Sequence, residues 1–594
     1  MASFLDKIKV KTAVEDRVKL DLGCDHITTA NFMQYNVAWC KELVPKEKIS
    51  VSMETFTRLN PMPVPTFGRA KINNRAFFVP FRTIFPGWND FITDAQHTFA
   101  SGNTAVIDRV PYVKNSDLVE FIAGIQGDNS TVYSEVVGDE DNADIVLRDV
   151  YLDDVYEIRM KLTAAGRQAM KVLESLGYKI IWDYTDESVY SALPILAMAK
   201  VYVDWYFPSA YVGTGGLINR VESLFFRDVL DNDTGEFSGG VVTQYDLNDI
   251  FDLILKGVNY DSDYFVSAWD NPVAPNNNTY SGITMTDPTT NLGATIVNDA
   301  DGSLGTPTTS GTLSQWLIDG LKSLTDYMKR HQLVGARALD RYLARFGVNL
   351  SAEKLRRSVY LGSGYENIQF GDVMSTADTD GASLGNYAGK GIGYGTANFD
   401  YETDEYGIMI IISSIVPKAG YYQGINRNVM HLGKLDYWTP EFDNLGTQAI
   451  SKSELFVPFG TTSNTNNFDA TGLNEGVFGW TPRYAEYKIG RDMLTGDFRY
   501  DSMNAGQESW HTMRELSYTD VDNIVHNVNF VSGQDAGQYS RIFYNTDAEA
   551  ADKFNVIYHF EVASWSPMKA LFDTYEFDSK GGSVTEDANG VKMN

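Results

Sequence analysis

Residues 60–91, NPMPVPTFGRAKINNRAFFVPFRTIFPGWNDF, set a proline-rich turn ahead of RAFFVPFR (75–82), which is apolar at nearly every position. The run is too short to span a bilayer and too interrupted by proline to form a helix. It reads as an extended segment pinned between two layers of protein. Whether both layers belong to this chain is the question it raises.

Working outward, the neighbouring stretches carry the same character. HITTANFMQYNVAW, KISVSMETFTRL and AKINNRAFFVPF are strand candidates separated by Pro-, Gly- or charge-marked breaks. From about 400 the pattern returns in YGIMIIISSIVP (406–417), RYAEYKIG and NVIYHFEVASW. The last alternates cleanly, with Val556, Tyr558, Phe560 and Val562 on one face and Ile557, His559 and Glu561 on the other. The Ile-rich run 406–417 is about half a membrane span and reads as a buried strand. The chain of 594 residues is rich in Tyr, Phe, Thr, Asn and Gly, a composition of strands and turns. These readings place core strands in 20–110 and 400–575, insertions in 111–399 and a tail at 576–594, all within a single domain 1–594.

The middle carries the helical signals. Residues 163–178, 191–207, 313–333 and 336–347 show apolar residues at helical spacing, the last closed by Gly347. Residues 139–157 hold eight acidic residues and one arginine and read as an exposed loop with a solvated face. Residues 273–312 are rich in Thr, Asn and Gly without Lys or Arg, and read as a long exposed loop. The stretch 329–357 runs against the overall charge of −29, with eight Lys/Arg and two acidic residues. Within it Arg337, Arg341 and Arg345 line one side of a helix, and Leu339, Tyr342, Leu343 and Phe346 take the core-facing side.

Motifs that carry chemistry are scarce. GNYAGKGIGYG (385–395) has glycines around Lys390, but Gly391 stands where a phosphate loop needs Ser or Thr, so it reads as a glycine loop. NDADGSLG (298–305) and TADTDGAS (376–383) lack the first and the twelfth ligand of a calcium loop and read as turns. The seven histidines are scattered, without a shared helical face at metal spacing. Cys24 and Cys40 are too few for a disulfide framework and are expected as two buried thiols of a reducing compartment. The N-terminal residues lack the pattern of a secretory signal. No catalytic residue, metal or cofactor is expected, and the acidic charge opposes a general nucleic-acid coat.

FTRLNPMPVPTFGRAKINNRAFFVPFRTIFPGWNDF (56–91) resembles the N-terminal region of the major capsid proteins of the Microviridae, in their gokushovirus-like branch. LPILAMAKVYVDWYF (193–207), DYFVSAW (263–269), RYLARFGV (341–348) and YLGSGYENIQFGDVMST (360–376) are similar to later blocks of that family, in family order. So are LGNYAGKGIG (384–393), the stretch 421–450 and VFGWTPRYAEYKIGRDMLTGDFR (477–499). The resemblance implies a mainly β protein, an eight-stranded antiparallel viral jelly roll with long helix-bearing insertions. It implies a structural protein without enzymatic activity, assembled as a T=1 icosahedral shell around circular single-stranded DNA in the host cytoplasm. The implied partners are copies of itself, the packaged single-stranded DNA, scaffolding, pilot and small basic DNA-binding proteins, and a host surface glycan or receptor, with no membrane insertion. Residues 273–312 would be the family's variable surface protrusion. Arg337, Arg341 and Arg345 are candidates to face a neighbouring subunit, packaged DNA or simply water. Phe77, Phe78, Phe81, Arg82, Phe85 and Trp88 form a candidate interface segment, with an intramolecular core as the alternative. The competing function is an extracellular glycan-binding or glycoside-cleaving β-sandwich.

Overall fold

In a computed structural model, most of residues 17–568 are described; the longest stretches outside it are 227–240, nearly all of 270–341, 375–386, 458–475, 499–506 and 517–525. Eight long strands carry the fold: β1 Cys24–Ala30, β2 Asn36–Leu43, β3 Lys48–Leu59, β4 Ala70–Pro80, β5 Val359–Met374, β6 Tyr387–Glu402, β7 Gly407–Pro417 and β8 Phe554–Ser566. All their pairings are antiparallel. One sheet runs β1-β8-β3-β6 and the other β2-β7-β4-β5, joined into one curled path because β5 pairs with β4 over Val359–Ile368 and with β6 over Gln369–Met374. Apart from β4 and β5, which pair with each other, consecutive strands hop between the sheets, which is the jelly-roll arrangement. The short strand Val18–Asp21 continues the β1 edge along β8.

Side-chain periodicity explains most of these strands. In β8, Val556, Tyr558, Phe560 and Val562 point into the sandwich, as the alternation predicts. In β7 every residue is buried, because its sheet is covered on both faces. Full burial of each of its isoleucines contributes roughly 2 kcal/mol of transfer free energy. On one side of that sheet lies the sandwich interior. On the other lie helices α1 (Ala164–Ser175), which packs on β2, and α2 (Leu193–Val201), which packs on β4 and β7. Helix α1 starts at Thr163, whose side chain accepts the Gly166 N–H. Helix α2 has a proline in its first turn and ends in a wider π-type turn, Tyr202–Tyr206, within the stretch that reads as one helix.

The same two-sided cover resolves RAFFVPFR. Phe78 faces inward and meets Tyr401 of β6 at 4.8 Å, while Phe77 faces outward and packs on Trp205 at 5.8 Å and Tyr206 at 6.0 Å. Both layers belong to this chain.

Three expectations are corrected. The glycine loop is a strand: Gly389, Gly391, Gly393 and Gly395 form the buried face of β6, while Lys390, Ile392 and Tyr394 point outward. The acidic stretch is a hairpin rather than a loop, Ile145–Tyr151 with Asp154–Leu162, extended by Ser134–Val136 and tucking Leu147 inward. Of the two thiols expected to be buried, Cys24 is exposed and Cys40 half-buried, because Cys24 begins β1 on the open edge of its sheet. The chain between β4 and β5 (81–358) and between β7 and β8 (418–553) makes up the two large insertions. Strands β5 and most of β6 come from within 111–399, where the sequence reads as insertion.

Candidate functional site

The proposed interface segment begins inside the subunit. Phe77, Phe78, Phe81 and Phe85 are all buried in the isolated chain. Phe81 packs on Trp88 at 4.5 Å, and Trp88 reaches Tyr406 at 5.6 Å with one side partly open. Arg82 is half-buried and holds Glu405 with two bonds of 2.6 and 3.1 Å, the forked geometry of guanidinium on carboxylate. Of the six residues, Arg82 and Trp88 alone keep partial exposure.

Arg337, Arg341 and Arg345 lie outside the described residues, as do residues 273–312 except for a short hairpin, Thr284–Thr286 with Gly293–Thr295. Of the helix expected over 313–333 only Asp319 and Ser323 are described, both helical, and the two aspartate-glycine stretches lie outside the described residues. Tyr342, Leu343 and Phe346, expected on the core side, are exposed, with the two rings 6.0 Å apart. Their helix ends where Gly347 takes a φ of 65° and donates its N–H to Leu343. Periodicity identified an apolar face without saying what covers it.

The outer face of the β1-β8-β3-β6 sheet is open in the subunit, and register places an apolar row across it. Ile27 lies opposite Ile557, Ile557 opposite Phe56 and Phe56 opposite Tyr394. Ile27 is 76% exposed and Tyr394 52%. The adjacent row holds Asp25, His559 and Glu54. Asp25 accepts from the His559 ring, and this bond, with the nearby carboxylates, raises the imidazole pKa. Sequence reasoning missed the apolar row, because only strand register aligns residues so far apart in the chain.

A polar cleft of about 1000 Å³ opens between the sandwich and the insertions, lined in part by Asn31, Gln34, Gln168, Asn248, Asp252 and Lys256. Its charges are engaged in structure. Arg220 holds Asp249 through bonds of 2.7 and 2.8 Å, and Asp252 accepts from the Thr131 N–H and the Tyr133 hydroxyl. Among the described residues, no three His, Cys, Asp or Glu side chains converge as metal ligands, and no helix is long and apolar enough to cross a membrane. The arrangement offers surfaces for association rather than groups poised for bond-making.

A jelly roll with two large insertions and open apolar surface is an architecture that shell-building proteins share with lectins and cupins, and the comparisons with known proteins distinguish among them. The chain belongs to the phage family described as capsid protein (F protein), whose model matches residues 8–116 and 311–569. It is 24% identical to capsid protein VP1 of Chlamydia phage 1 over 551 residues, 86% of this chain and 88% of that protein. It is 25% identical to capsid protein VP1 of Bdellovibrio phage phiMH2K over 216 residues, 36% of this chain and 37% of that one. Both relatives come from the Microviridae. The chain is therefore a structural capsid protein of the virion, not an enzyme. The stretch 117–310 between the two matched segments falls wholly within the β4–β5 insertion.

Proposed function

We propose that this protein assembles into a T=1 icosahedral shell that encloses a circular single-stranded DNA genome. The observation that carries this reading is the family match, which spans both ends of the jelly roll and so covers the shell-forming framework. On this reading residues 1–594 act as one capsid domain, and 273–312 project outward to meet a host surface glycan or receptor. Arg337, Arg341 and Arg345, with Arg82 and Trp88, face neighbouring subunits or packaged DNA. Scaffolding, pilot and small basic DNA-binding proteins act alongside it, with assembly in the bacterial cytoplasm.

The test is to co-express the chain with the virion genes that accompany it and to reconstruct the purified particles by cryo-electron microscopy. Closed icosahedral shells containing nuclease-protected single-stranded DNA are expected. A chain that stays monomeric under those conditions overturns the reading.

A further inference from the structure

The β7–β8 insertion displays an apolar surface that the subunit does not cover. Leu432 is 93% exposed, Met493 75% and Val429 72%, and Leu435, Trp438 and Tyr487 stand exposed beside them in sequence. Scattered apolar side chains are ordinary on protein surfaces, but such a concentration in two short segments marks an interaction surface. The two segments, 427–443 and 483–493, are tied together. The His431 ring stacks on Tyr487 at 5.8 Å and lies 5.5 Å from Tyr437. Arg483 and the Tyr484 hydroxyl both donate to the Leu435 carbonyl at 3.1 Å, and Lys488 pairs with Asp443 at 2.6 Å.

The surface is also held rigid from beneath. Arg427 donates to the buried Glu454 carboxylate and to the Ala449 carbonyl, each at 2.7 Å. Arg491 donates to the carbonyls of Ile425 and Glu454 at 2.9 and 2.6 Å. Asp436 accepts the N–H groups of Leu432 and Gly433 at 3.0 and 2.6 Å, which fixes the turn that carries Leu432 outward and lowers the Asp436 pKa. Side chains held out on such a frame lose little further freedom on docking, so burying them yields more net affinity than burying a floppy loop.

Charge indicates the occupant. The chain carries −29, so two copies approaching through most of their surface repel each other. These two segments hold five Lys/Arg and five Asp/Glu, a neutral island where that repulsion is least. We infer that this surface is a contact between copies of the chain, a principal seam of the shell; the inference rests on the capsid reading and deepens it.

The experiment compares wild type with L432E/M493E, co-expressed with the accompanying virion genes. The expected result is a soluble subunit with wild-type circular dichroism and a loss of closed particles of about tenfold or more, the size of a hot-spot truncation. The milder L432A/M493A variant, which introduces no charge, is expected to give fewer particles that melt at lower temperature. Wild-type yield and melting of L432A/M493A particles overturns the inference, even if the glutamate variant misfolds. Normal shells that lack a companion virion protein also overturn it, by assigning the surface to that protein. Failure of wild type itself to form shells would instead remove the capsid reading beneath it.

Discussion

Two buried histidines show how single residues tie this fold to pH. His511 donates from Nε2 to the Phe498 carbonyl at 2.8 Å, and its Nδ1 accepts the Met513 N–H at 3.3 Å. His526 donates from Nε2 to the Val266 carbonyl at 3.0 Å and accepts the Tyr211 hydroxyl at Nδ1. A proton added at Nδ1 would break the bond from the Met513 N–H at His511 and force the Tyr211 hydroxyl to turn from donor to acceptor at His526, and burial pushes both pKa values down to about 4. The unfolded chain takes up these protons near pH 6.5, before the folded chain does. Both contributions are therefore intact above about pH 6.5 and drain away as pH falls toward 4, by on the order of 1–3 kcal/mol each. Melting temperature is expected to fall from pH 7 to pH 5, and less steeply in H511Q; an unchanged slope would refute the assignment. Glycines of β6 give a second residue-level contrast. A Cβ at Gly389 would sit 2.4 Å from the Val64 backbone oxygen, whereas one at Gly395 would come to 2.9 Å from the Glu366 Cβ, a milder overlap. G389A is expected to cost about 1–3 kcal/mol in denaturant unfolding and G395A distinctly less.

Among the elements, legibility depends on which residue fills the inward positions. Strands β7 and β8 supply their own bulky core side chains, so their runs declare them. The first half of strand β6 inverts that pattern, because its inward positions from 389 to 395 are glycines, those at 391 and 393 meeting Leu59, Ile72 and Ile368 from other strands, and its large residues Ile392 and Tyr394 face out. No local signal marks such a strand, since the volume that makes it one comes from other parts of the chain. Helix α1 is tied to the sandwich by a similarly nonlocal contact. Lys171 donates to Asp552, just ahead of β8, at 2.8 Å and to Gln34 at 2.9 Å, with both ions largely buried. Burial lowers the Lys171 pKa, and the ammonium beside Asp552 holds that carboxyl below its usual range. D552A strands the ammonium and is expected to destabilise the subunit by roughly 3 kcal/mol. The double variant K171M/D552A should recover much of that loss in the same unfolding assay; no recovery would show that the pair is not what joins helix to strand.

On the scale of the whole molecule, the open sheet face, the exposed Tyr342, Leu343 and Phe346 and the Leu432 surface leave apolar side chains in water, and binding of neighbours adds stability to a folded state by mass action. Assembled particles are expected to melt above free subunits and to resist protease longer. Coincident melting curves would show that the subunit draws nothing from its neighbours. The sequence by itself determined the β-rich class, the buried β7, the alternation of β8 and, through ordered family blocks, the capsid family, because each rests on residues close in the chain. Tertiary structure alone decided that RAFFVPFR is covered on both faces by its own subunit, that the glycines at 389–395 build a strand, and which apolar side chains remain outside. Those outcomes depend on strand register and on which element packs against which, and both are set by contacts hundreds of residues apart in the chain.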